Sequence, residues 1–180
     1  QATDNYAAAE AAIAECHSNF AAGDNFALSA RLECYRGGFA LAQGRLDDAV
    51  VLLRNGIAYG RGLGLPVLLS YQVDLIEAYV LSGRLLEAGA EYEDFHAKAA
   101  LHHTRWTVLA DARARSLVST GEVSLTAFTA AIALWTPSDS RFDLGRTLMG
   151  YGDRLASLGR TREAREQHLA ARVLFTQHGA

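Results

Sequence analysis

The side chains best able to do chemistry in this sequence are its six histidines and two cysteines. His102 and His103 stand side by side, and Cys16 is followed by His17. A metal site needs three or four ligands converging at fixed spacing, whereas neighbouring residues on a helix point well apart. No second pair stands near either step, so no metal site is expected. His102 and His103 read as decoration of a loop between helices. Nucleophilic catalysis would need a serine or cysteine beside a base and an orienting carboxylate. Cys34 and several serines are present, but no G-x-S-x-G elbow accompanies them. No G-x-x-x-x-G-K stretch offers a phosphate cradle either. The expectation is a chain that is not an enzyme and carries no cofactor.

Composition agrees with a folded chain. Half of the 180 residues are hydrophobic and 21% are charged, which separates the sequence from disordered ones. That length suffices for one ordinary domain with a sizeable core. The net charge of −3 leaves no global positive excess to displace counterions from nucleic acid. Arginines and acids intermingle over 139–180, the pattern of a solvated helix face. Apolar runs are a few residues long, against the ~20 needed to span a bilayer, and no signal-type segment is present. Cys16 and Cys34 form no disulfide framework, so a reduced, cytoplasmic setting is expected. The chain opens on Gln1 without methionine, which suggests an excised piece of a longer protein.

These side chains must be positioned by some scaffold, and its signature is a repeat. "AQGRLDDAVVLL", "LSGRLLEAGAEY" and "SLGRTREAREQH" share a glycine, then an arginine, then an alanine five past the glycine. A looser copy, "STGEVSLTAFTA", starts at Gly121. The glycines Gly44, Gly83, Gly121 and Gly159 are spaced 39, 38 and 38 residues apart. A period near forty marks a stacked-repeat architecture, with room for two helices per unit. Val73, Ile76 and Val80, then Leu85, Ala88, Tyr92 and Phe95, recur at three-to-four-residue steps, as a helix with one buried face requires. Nothing alternates with a period of two, so no strand is assigned.

The spacing predicts an orphan helix over 4–22 and helix pairs over roughly 25–62, 66–100, 104–135 and 140–178, forming one helical-repeat domain. The marker glycine supplies the positive φ on which a helix can end and reverse. Ala49, Ala88 and Ala164 supply a small side chain in the first turn of the returning helix. The third unit has Thr126 at that position, with Ala127 beside it. Gly37, Ala114 and Gly152 lie seven residues before their turn glycines, where a small residue lets helices approach closely; Ile76 breaks that rule. Trp106 and Trp135 flank the third unit, and Tyr35, Tyr71, Tyr79 and Tyr151 recur on first helices. Since isolated helices of this length are marginal, stacking on neighbours must stabilise them. An apolar N-terminal end is expected where the stack was cut.

This pattern resembles the tetratricopeptide repeat, stretched beyond its usual 34 residues. The stretch "RFDLGRTLMGYGDRLASLGRTREAREQHLAARVLFTQHGA" (141–180) also resembles the segment upstream of the DNA-binding domain in large LuxR-type bacterial transcriptional regulators, the MalT-like group. The resemblance covers the whole chain as repeats and is most specific over 142–180. It implies an all-α tetratricopeptide-like solenoid of about nine helices in a right-handed superhelix. It also implies a sensor and scaffold between an ATPase switch and a helix-turn-helix module, neither of which lies in this sequence. Direct binding to nucleic acid or membrane is not expected of the fragment.

By the same resemblance, ligand-facing positions lie thirteen, ten and six residues before each turn glycine. They fall on Arg31, Cys34 and Gly38; on Ser70, Val73 and Glu77; on Val108, Asp111 and Arg115; and on Arg146, Met149 and Asp153. Both charge signs and small groups mix there, which suits a peptide, a protein partner or a polar small-molecule inducer. Self-association is a further expectation. Asp111 and Arg115 could equally be an ordinary i,i+4 pair on a solvated groove. A free-standing adaptor that binds peptides, and a helical enzyme accessory, are the alternatives.

Overall fold

The computed structural model describes residues 2–21, 26–62, 69–136 and 140–177. Those residues form nine α-helices and no strand: α1 (Ala2–Ala21), α2 (Phe26–Ala42), α3 (Leu46–Gly62), α4 (Leu69–Leu81), α5 (Leu85–His102), α6 (Arg105–Val118), α7 (Gly121–Trp135), α8 (Arg141–Ser157) and α9 (Thr161–Gln177). The architecture is an all-α helical repeat. Helix α5 runs to His102, two residues past the 66–100 range expected for its pair. No helix among the described residues is long and apolar enough to cross a membrane.

The chain divides into two compact units, Gln1–Glu91 and Tyr92–Ala180, where the sequence suggested one domain; the boundary falls inside α5. In the first unit α1 packs on α2, α2 on α3 and α3 on α4, while α2 also meets α4. In the second, α6 packs on α7, α7 on α8 and α8 on α9. Each helix leans chiefly on its sequence neighbours, as stacked repeats do.

Three of the turns are built alike. Gly44, Gly83 and Gly159 have φ of 73°, 75° and 77°, a conformation that would strain any residue with a Cβ. The N–H of Gly44 donates to the Leu41 carbonyl at 3.0 Å, and the N–H of Arg45 to that of Ala40 at 2.9 Å. Arg84 to Tyr79 (2.8 Å) and Arg160 to Leu155 (2.9 Å) repeat the second bond, and Gly83 and Gly159 repeat the first. This is the Schellman arrangement, which satisfies the last carbonyls of the outgoing helix. The arginine then starts the next helix, since its carbonyl accepts from the N–H of Ala49, Ala88 or Ala164. Its guanidinium reaches an acid three residues on: Arg45 to Asp48 at 2.8 Å, Arg84 to Glu87 at 2.9 Å and Arg160 to Glu163 at 2.6 Å. The guanidinium thereby clasps the first turn of the helix that it starts.

The third turn departs from the others. Helix α6 ends one residue earlier, the Ser119 N–H caps the Arg115 carbonyl, and Gly121 (φ 58°) begins α7 rather than closing α6. Between the close-packed slot of the first helix and that of the second lie Gly37 to Ala49, Ile76 to Ala88 and Gly152 to Ala164, each twelve residues apart. In the third unit the buried pair is Ala114 and Ser124, ten apart. Thr126, expected in the alanine slot, is therefore exposed, and buried Ser124 takes its place.

The core follows the repeat. Ala49, Ala88 and Ala164 are all buried, as are Ile76 and Ala114 at the slot seven before the glycine. Trp135 seals a cluster with Leu109, Leu144, Leu148 and Ala171, flanked by Ile132, Leu174 and Phe175. Leu125, Leu155 and Ala164 form a second cluster, with Tyr151 against it. Trp106 is partly exposed, so the two tryptophans flanking the third unit have different environments.

Candidate functional site

The ligand-facing positions lie on first helices α2, α4, α6 and α8, and burial sorts them. Arg31, Ser70, Val108, Arg115, Met149 and Asp153 are exposed, while Gly38, Glu77, Asp111 and Arg146 are half-buried. Cys34 and Val73 are buried, and they belong to the core rather than to a binding face. The reason is local. Cys34 points at its own hairpin partner, and a methyl group added at Gly56 of α3 would lie 2.6 Å from its sulfur. Burial, then the Asp74 and Glu33 carboxylates, push the Cys34 thiol up to about 12, so it stays protonated and unreactive.

In the first unit, the α2 and α4 faces meet through Tyr35 and Tyr71, edge to face with centroids 5.6 Å apart. Burial raises the Tyr71 hydroxyl above its ordinary range, and its hydrogen bond with Tyr35 and the repulsion between the two add to this; Arg31 opposes the rise. Gly38 leaves room beside the Asp74 carboxylate, 3.7 Å from where a methyl would sit. Further along, Gln72 donates to Glu91 at 2.6 Å and Arg61 donates to the same oxygen at 2.7 Å, which ties α3, α4 and α5 together. The first-helix faces here carry Arg31, Glu77 and the Tyr35–Tyr71 pair.

In the second unit, the first-helix acids are held by histidines from neighbouring second helices. Asp111 is 2.8 Å from His96 Nδ1, and Asp153 is 2.9 Å from His168 Nε2. Tyr92, half-buried, has its hydroxyl raised by burial and then by Asp111. Its ring lies 5.6 Å from that of His96. Arg146 lies over the Phe142 ring at 6.0 Å. Asp111 thus turns to α5 for its hydrogen bond, a role the i,i+4 reading with Arg115 did not include. His96 and His168 were missed because no first-helix register reaches them. One signal was present: each histidine lies fifteen residues from its aspartate, about one helix plus a turn.

His102 ends α5, His103 follows with φ 38°, and both are exposed. Cys16 is exposed on α1, and the side chain of His17 lies outside the described residues. Among the described residues, no three His, Cys, Asp or Glu side chains converge as metal ligands.

No protein-family model and no curated protein matches the sequence. A crystal structure of nearly identical TPR-like repeats, from a protein described as a kinesin light chain of Podosopora anserina, resembles it with a TM-score of 0.46. The identity is 17%, over 83% of this chain and 76% of that one.

Proposed function

We propose that this chain is a non-catalytic recognition and scaffold segment that holds a protein or peptide partner on its first-helix faces. The supporting observation is the sorting by burial. Positions thirteen and six residues before the turn glycine keep Arg31, Ser70, Glu77, Arg115, Arg146 and Asp153 in reach of solvent, with both charge signs represented. Asp111 and Met149 extend that set in the second unit. Mixed charges on faces that also carry partly exposed tyrosines suit a polar peptide better than a uniform phosphate backbone. Such a face recognises without covalent chemistry and needs no metal or cofactor.

We place this segment inside a LuxR-type regulator of the cytoplasm, on the support of the pattern over 142–180. In that reading, occupancy of the face by a partner or inducer is relayed through helix packing to domains outside the sequence. A free-standing adaptor would use the same face without a relay. Reading the parent gene separates the two: the regulator reading expects a phosphate-binding motif upstream and a helix-turn-helix downstream, and absence of both ends it. For the face itself, a peptide library is screened against the chain and its best binder titrated against Glu77→Ala and Arg115→Ala. Weaker binding in at least one variant is expected; unchanged affinity in both contradicts recognition there.

A further inference from the structure

Burial shifts the first unit's face by one residue from the expected register. Cys34 and Val73 are buried, and Tyr35 and Asp74, their neighbours in sequence, reach solvent in their place. On α2 the accessible stripe is Arg31, Tyr35 and Gly38, at steps of four and three. On α4, every residue from Tyr71 to Tyr79 is buried except Tyr71, Asp74 and Glu77. Two contacts set the stripes side by side. The Tyr35 and Tyr71 rings lie 5.6 Å apart, and the Asp74 carboxylate lies 3.7 Å from where a Gly38 methyl would sit. The result is a strip between two helices of one compact unit, with tyrosines towards one end and carboxylates towards the other.

Gly38 is the residue that packing does not explain. Glycine is among the least favourable residues in a helix interior. Its neighbour Gly37 is required, since a methyl there would lie 2.9 Å from the Leu53 main chain. At Gly38 a methyl would make one ordinary contact, with Asp74. The equivalent positions of the next three units hold charged side chains, Glu77, Arg115 and Asp153. The missing side chain leaves a notch through which an outside group can approach both the α2 backbone and the Asp74 carboxylate. Glu77 follows Asp74 one turn along the same side of α4. Arg31 stands two turns from Gly38, about 10 Å along the axis, and Arg36 is engaged by Glu33 at 2.7 Å. Negative charge therefore dominates at the notch. A carboxylate offers two oxygens and about four lone-pair directions, so one already bonded within the chain still accepts from a ligand.

We propose, resting on the recognition reading above, that the notch between Gly38 and Asp74 receives a basic side chain, lysine or arginine, of the bound peptide. Its stem lies along the Tyr35 ring, and its cation reaches Asp74 and Glu77. Aromatic face and carboxylate both favour positive charge there.

The test uses the full chain and a library of peptides randomised at every position, followed by anisotropy titration of one selected lysine peptide and its norleucine counterpart. The parent should enrich lysine or arginine at one position, and should bind the lysine peptide roughly tenfold or more tightly than the norleucine one. Asp74→Asn should bind the two peptides alike. Gly38→Leu, which fills the notch, should weaken the lysine peptide by a similar factor. The urea midpoint of Gly38→Ala should stand at or above the parent's, because helix propensity rises and nothing is displaced; a lower midpoint would give Gly38 a packing role and count against the notch. Selection without a basic preference, or a lysine peptide that binds both Asp74→Asn and Gly38→Leu as it binds the parent, would overturn the notch and leave the recognition reading standing. A chain that selects no peptide would overturn both.

Discussion

The α2–α3 and α8–α9 hairpins share a turn, a clasp and a spacing, yet they use the same glycine slot in opposite ways. Gly37 and Gly152 both lie seven residues before the turn glycine. A methyl at Gly37 would lie 2.9 Å from the backbone nitrogen of Leu53, and one at Gly56 would lie 2.7 Å from the Ala30 carbonyl. Each helix of that hairpin therefore presses a glycine against the other's main chain. In α8–α9 the space is filled by side chains: the His168 ring lies against Gly152, and Phe175 lies 2.7 Å from a methyl placed at Gly145. The first hairpin gains close backbone approach. The second gains a seat for a ring, and that ring then fixes Asp153 of the candidate face. A slot that reads identically in sequence is structural in one unit and positions a polar group in the other.

The largest break should come where main chain meets main chain. Gly56→Ala meets the Ala30 carbonyl and the Cys34 nitrogen together, and neither can rotate away. Overpacking of this kind costs about 3 kcal/mol, offset by about 1 kcal/mol of helix propensity gained over glycine. The urea midpoint should fall by the equivalent of about 2 kcal/mol. A thiol reagent should also begin to reach Cys34, whereas in the parent only Cys16 reacts before unfolding. Next is the turn. Gly83→Ala forces a Cβ into a φ of +75° and should cost about 1–2 kcal/mol in the same assay.

A smaller effect of opposite sign sharpens the comparison. Gly89 of α5 has nothing within 4 Å of where a methyl would sit. Gly89→Ala should therefore gain up to about 1 kcal/mol from propensity alone. A loss there would mean that glycines in these helices serve something other than packing.

The smallest effect concerns the clasp. The Arg160 guanidinium holds the Glu163 carboxyl below the ordinary carboxylate range, chiefly by hydrogen bonding. A group whose folded pKa is depressed contributes stability above its unfolded pKa and loses it as pH falls through the folded value. Glu163→Gln should thus lower neutral-pH stability slightly, converge with the parent in acid, and flatten the acid limb of a urea-midpoint profile taken from about pH 6 to about pH 3. An unaltered acid limb would show that the clasp adds nothing.

Much of the fold was legible because it rests on local rules. Positive φ at the turn needs glycine, and buried first-turn contacts need alanine, so both recur with the period. The third turn was misread for a reason sequence could not supply: Gly121 keeps the spacing but shifts from helix end to helix start, so Ser124 displaces Thr126. The candidate face was legible only in part. A register can say which helix side a residue occupies, but not how far the hairpin partner wraps around it. Cys34 and Val73 fell to that wrapping. His96 and His168 escaped because they come from second helices, which the register did not cover.

The claim under all of this is that one slot has two physical uses, and a single pair of urea titrations tests it most directly. Gly37→Ala should lose about 2 kcal/mol, because the Leu53 main chain cannot move aside. Gly152→Ala should lose clearly less, because the His168 ring can turn aside at the expense of its exposed hydrogen bond to Asp153, and propensity offsets part of that loss. Equal losses in the two variants, or a larger loss at Gly152, would contradict the account.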